Sequence, residues 1–86
     1  MSIKTEKLTT IKLDKPFMFE GKKITKLEMK QPLVKYIVTA QSLGSTPAET
    51  ETHIMAALTS QPVELIEEMH MKDYVRLQEQ YKSFLA

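Results

Sequence analysis

An α+β domain is what this sequence predicts: an N-terminal β-hairpin followed by about four α-helices packed on it. Three observations point there. Apolar residues alternate on both sides of Glu20-Gly21, as in two strands joined by a tight turn. Beyond Pro32 the alternation gives way to spacings of three and four, punctuated at Gly44, Thr46-Pro47 and Gln61-Pro62. In the last third of the chain, Tyr74, Leu77, Tyr81 and Phe84 fall on one face of a helix, with Val75 and Leu85 widening the stripe. A chain of 86 residues has room for one modest core and no second one.

Residues 1–8 are largely polar and are expected to fray as a flexible segment ahead of a single domain over 9–86. Over 9–19, Ile11, Leu13, Phe17 and Phe19 share one face of an extended chain, and Lys12, Asp14 and Met18 the other. Pro16 has no N–H to give a ladder, so this is an edge strand, or two pieces joined at Lys15-Pro16. Gly21 supplies the positive φ of the turn. On the return strand, 22–29, the pattern slips, because Ile24 and Leu27 are three apart while Leu27 and Met29 are two apart. A bulge near Thr25-Lys26 would bring them all to the buried face and close the hairpin at residue 30. A lone hairpin is marginal in water, so helices must cover it.

Pro32 suits the first position of a helix over 32–43. Its apolar face is Leu33, Tyr36, Ile37, Ala40 and Leu43, with Val34 and Val38 alongside and Gly44 as the left-handed stop. Thr46, Pro47 and Glu49 form a capping box that opens a helix over 47–59, burying Ile54, Leu58 and either Met55 or the stem of Glu51. Gln61-Pro62 restarts the chain as a short helix over 62–69, and a final helix runs over 71–85. His70 stands where a serine or threonine cap is usual, and Asp73 is placed to serve the first N–H groups of its own helix. Met71, Tyr74 and Leu77 are expected to close the core over the hairpin. Tyr81, Phe84 and Leu85, beyond the hairpin's reach, are expected to bind a partner or a second copy. Met55, Met69 and Met71 add an adaptable apolar surface.

Catalytic chemistry has little to stand on. There is no cysteine, which removes disulfides, thiol nucleophiles and thiolate metal sites. The two glycines stand alone at turns, so no phosphate loop is present. His70, Asp73 and Glu67 are the nearest thing to a metal set, but a helix-start histidine beside acids is ordinary surface, and no metal or cofactor is expected. The charge is uneven: residues 1–35 carry nine lysines against four acids, and residues 36–86 three cations against seven acids. A lysine-rich β face beside glutamate-rich helices accounts for this, and the asymmetry also suits steering of a partner. The helices over 47–59 and 62–69 resemble a helix–turn–helix, yet the second reads PVELIEEM, and its glutamates repel phosphate. Nucleic acid is therefore not expected as a partner. No apolar run approaches the ~20 residues of a membrane span. The opening MSIKTEKLTT has no apolar signal core, and a cytoplasmic location is expected.

Taken in order, IKLDKP, FEGKKITKLEMKQP and LTSQPVELIEEMHMKDYVRLQEQYKSFL resemble the small tail assembly chaperones of contractile-tailed (Mu-like and P2-like) bacteriophages. The matching positions are Pro16, Gly21, Lys30-Gln31-Pro32, Leu58-Thr59, Asp73-Tyr74, Leu77 in the final helix, and Phe84-Leu85. They cover residues 10–85, and it is the ordered set that carries the likeness. Two departures stand out. An Arg-Glu-Pro-like tripeptide reads Lys30-Gln31-Pro32, and the acid usual after that proline is replaced around Lys35-Tyr36. The resemblance implies a non-enzymatic protein that binds the helical tape measure protein and keeps it soluble while the tail tube protein polymerises around it. It also implies action in the bacterial host cytoplasm and absence from the mature virion, with a longer frameshifted product in many relatives. A DNA-binding or transcriptional accessory protein and a minor structural tail subunit are the alternative readings.

Overall fold

A computed structural model describes residues 8–86, so the fraying expected of 1–8 lies, save for Leu8, outside the described residues. Strand β1 runs Thr9–Phe19 and β2 Lys22–Met29. Four helices follow: α1 Val34–Leu43, α2 Pro47–Thr59, α3 Val63–Glu67 and α4 Met71–Leu85. The fold is α+β, an antiparallel hairpin followed by four helices, as the alternation and punctuation predict.

Glu20 and Gly21 both take positive φ, 48° and 79°, which is what a tight two-residue hairpin turn needs. The register is where expectation and structure part. Thr9 to Lys12 pair with Met29 to Lys26, and Phe17 to Phe19 pair with Ile24 to Lys22. Between these ladders, Leu13, Asp14, Lys15 and Pro16 stand opposite Thr25 alone. The irregularity is thus opposite the predicted place, but the extra residues belong to β1, not β2. Pro16 explains the choice, since it cannot complete a ladder and its strand absorbs the slack.

Pro32 does not open α1. The Lys30 N–H donates to the Leu58 carbonyl at 2.8 Å, which holds the chain extended past the hairpin. Leu33 then occupies the cap position at φ −120°, ψ 150°, without a side-chain cap. Gly44 is not left-handed either, at φ −92°. Its lack of a side chain matters for another reason: a Cβ there would lie 2.6 Å from the Thr50 backbone nitrogen. Thr46 caps α2 as predicted, accepting from the Glu49 N–H at 3.1 Å, while the Glu49 carboxylate accepts from the Ser45 N–H at 2.8 Å. α2 ends at Ser60, which adopts φ 56°. Gln61 and Ser60 donate back to the carbonyls of Ala56 and Ala57 at 3.0 and 3.3 Å, a Schellman closure.

The core lies between the inner face of the hairpin and the helices. Ile11, Leu13, Leu27 and Met29 meet Ile54, Met55, Leu58, Leu65, Ile66, Met69 and Leu77 there. Phe17, Phe19 and Ile24, toward the hairpin tip, are half-buried against the same cluster. Met71 does not join it and is 65% exposed; Met55 and Met69 are buried instead of forming surface.

Candidate partner-binding surface

α4 is seated on the hairpin through polar groups. Asp73 is fully buried, and its two carboxylate oxygens accept from the Asp14 and Lys15 N–H groups at 2.8 and 2.9 Å. Those donors lie in the β1 bulge, where β2 offers no ladder acceptor, so an unmet carboxylate on the covering helix satisfies them. Burial pushes the Asp73 carboxyl up, but the two backbone donors and the Arg76 guanidinium outweigh it and hold it below the usual carboxylate value. Arg76 also donates to the Lys12 carbonyl and lies 3.7 Å from the Asp14 carboxylate, which Lys72 approaches to 3.5 Å. The expectation that Asp73 serves its own helix is therefore corrected. That task falls to His70, whose Nδ1 accepts from the Lys72 N–H at 3.1 Å. With those atoms engaged, His70, Asp73 and Glu67 do not assemble as ligands, and no group of three potential metal-binding side chains occurs among the described residues.

One turn on, the Tyr74 hydroxyl donates to Glu51 Oε1 at 2.6 Å, and Gln78 Nε2 donates to the same oxygen at 2.8 Å. Burial first, and the Glu51 carboxylate second, hold the Tyr74 phenol protonated well above the ordinary tyrosine range. Glu51 is thus a polar tie between α2 and α4 and not a buried stem. Leu77 is fully buried. The predicted partner-binding set then divides. Tyr81 and Phe84 are half-buried against the core, whereas Leu85 is 62% exposed. Sequence periodicity measured α4 against the hairpin alone. In the fold, the α1–α2 junction supplies a second support, and Tyr81 lines a groove of about 490 Å³ there with Gln41, Gly44, Pro47, Thr50 and Ile54.

The largest surplus of exposed apolar surface is on α1, whose apolar face was read from its spacing and expected to pack with the other helices on the hairpin. Only Ala40 is fully buried, and Tyr36 and Ile37 are half-buried. Val34 is 77% exposed, Val38 61%, Leu43 60% and Leu33 48%. α1 packs chiefly on α2, and one neighbour cannot cover apolar positions spread around most of a helix. Val34, Ile37, Val38 and Gln41 stand at i, i+3, i+4 and i+7, so they form one stripe, and Gln41 carries it into the Tyr81 groove. No acidic residue occurs between Glu28 and Glu49. The two charges in that interval, Lys30 and Lys35, lie 4.9 and 5.6 Å from the Tyr36 ring centre.

The remaining motif positions are structural. Gly21 makes the turn, and Pro16 sits exposed in the bulge. Lys30 ties the hairpin to α2 through its N–H, Gln31 is exposed, and Pro32 is half-buried. Leu58 is fully buried, and the Thr59 hydroxyl donates to the Met55 carbonyl at 2.8 Å. α3 has only five residues, with Glu64 and Glu67 among them, a poor reading helix for DNA. No helix among the described residues is long and apolar enough to cross a membrane. The contacts of Arg76, the tie made by Glu51 and the exposure of the α1 stripe escaped sequence reasoning. Arg76 and Asp14 are far apart in the chain, and no local pattern links them. A family model described as phage tail assembly chaperone proteins, E, or 41 or 14, matches residues 10–86. No curated protein and no solved structure matches the chain.

Proposed function

The chain belongs to the phage tail assembly chaperones, and from that premise we propose that it binds the tape measure protein of a contractile tail and keeps it soluble. In this reading the protein acts in the host cytoplasm, gives way to the tail tube protein, and is absent from the finished virion. The observation that supports it most is the apolar surface left open on helices: Leu33, Val34 and Val38 on α1, and Leu85 at the end of α4. A long helical client has apolar stripes that need cover until tube subunits bury them, and helix-on-helix contact supplies it. The accessible parts of Tyr81 and Phe84 join Leu85 as the α4 contribution. The role needs no cofactor.

Co-expression with the tape measure protein of the same phage genome tests this. Omitting the chaperone should send the client into the insoluble fraction, and including it should give a complex that co-purifies. Equal client solubility with and without it, and no co-purification, would sink the reading. Mass spectrometry of purified virions separates it from a structural tail subunit, because a chaperone leaves no stoichiometric band.

A further inference from the structure

We propose that the outer face of the β-hairpin docks on the outer face of α3 in a second copy of this chain. The inference goes beyond the client-binding reading and does not depend on it.

The inner face of the hairpin is buried in the core, through Ile11, Leu27 and their neighbours. The opposite face lies in solvent and is basic. Lys12 and Lys26 are direct partners across the ladder, and both are exposed. Nearer the turn on that face, Lys23 stands opposite Met18, which is 62% exposed. Like charges directly opposite each other cost a hairpin stability. Local relief is slight. Lys26 reaches Glu28 only at 3.9 Å, and Lys12 and Lys23 make no ion pair among the described residues.

The chain carries the complement itself. α3 and its junction with α4 turn Leu65, Ile66 and Met69 into the core. Glu64, Glu67 and Glu68, at i, i+3 and i+4, stand together on the other side, and all three are exposed. None of them forms an ion pair among the described residues, and no lysine or arginine occurs between Lys35 and Lys72 to offer one nearby in the chain. Both charged faces point away from the one core, and no ion pair joins them within a copy. Between copies, the basic face of one meets the acidic face of the next, and repulsion within each face is offset by attraction across the contact. A DNA backbone is a weaker occupant, because a chain of net charge +1 with an acidic surface of this kind repels phosphate. A contact between unlike patches repeats from copy to copy, into a ring or an open row.

The test is sedimentation velocity of the full-length chain across a range of concentration and salt. At low salt the parent should sediment faster as its concentration rises, and added salt should abolish the increase. K12E/K26E should weaken self-association about tenfold or more, and so should E67K/E68K. The first replaces one like-charge pair by another, and the second puts cations at a helix C-terminus, where they are favoured, so melting should stay near the parent's. Mixing the two variants, or combining all four changes in one chain, should restore association, because basic again meets acidic. If K12E/K26E loses its fold, K12Q/K26Q is read in its place and should show a smaller loss in the same direction. A parent that stays monomeric at low salt overturns the inference. So does association that salt and both charge variants leave unchanged, which places the contact elsewhere on the surface. Loss in both variants without recovery on mixing overturns the pairing of these two faces. Retardation of a DNA duplex by the parent and not by K12E/K26E, in a chain that does not self-associate, reassigns the hairpin face to nucleic acid and overturns it as well.

Discussion

At the scale of single residues, Asp73 is the side chain on which the most structure depends. It is buried, charged and bonded to two backbone donors that have no ladder acceptor. Asp73→Ala leaves both backbone donors without their acceptor and should cost about 2–4 kcal/mol in urea unfolding. In a domain of this size that is a large share of the total. Asp73→Asn keeps the shape and separates the charge from the packing. Because the folded-state pKa of Asp73 is lowered, the stability it contributes is present above the ordinary value of about 4. It is lost as pH falls through the lower folded value. The urea midpoint of the parent should therefore fall in acid more steeply than that of Asp73→Asn, and parallel curves would show that another carboxylate is responsible. Tyr74 works in the opposite sense. Its raised phenol pKa gives stability that is present below the ordinary tyrosine value of about 10 and lost as pH rises through the folded value. Tyr74→Phe should remove that alkaline sensitivity, at a cost of about 1 kcal/mol near neutrality.

At the scale of elements, the helix ends differ in how well their sequence suits them. α2 begins with a full cap, but ends on Ser60 in the left-handed region, where a Cβ is strained. Ser60→Gly should raise stability by about 0.5–1 kcal/mol, measurable as a shift in melting temperature without loss of binding. Gly44→Ala should do the reverse, because the added methyl meets the Thr50 hydroxyl and also its backbone nitrogen and Cα, which cannot turn aside. The final helix needs the finest distinction. Phe84 packs against the core, so serine there should lower the melting point, whereas Leu85→Ser should stay within about 0.5 kcal/mol of the parent and still reduce client capture. Of the two, only Leu85→Ser probes binding cleanly.

At the scale of the whole molecule, the arrangement is a scaffold that leaves one helix under-covered. α2 contacts α1, α3 and β2, and α4 contacts β1, while α1 lies against α2 with an apolar flank open. In the proposed role, that flank would give a helical client a contact of limited area, suited to later release. The charge division of the chain works at the same scale. Lysines dominate the hairpin and the start of α1, and carboxylates dominate the later helices. Client capture should accordingly fall with ionic strength more than a purely apolar contact would, which a salt series on the parent chain reads directly.

Much of this was legible in the sequence, and the reason is locality. The Glu20-Gly21 turn, the Thr46-Pro47-Glu49 helix start and the period of α4 are each set by residues within a few positions of one another. The hairpin with four helices, and the membership of the family, follow from such ordered local signals. What only the tertiary structure decided are pairings between distant segments. The N–H groups freed by the slack at Pro16 in β1 find their acceptor in Asp73, nearly sixty residues away. Which apolar faces remain open was likewise not written in their spacing. α1 and α4 both carry apolar stripes, and α4 packs on the hairpin and the core behind it, while α1 packs chiefly on α2. Periodicity states that a face is apolar; only the count of neighbours around it states whether that face is core or surface.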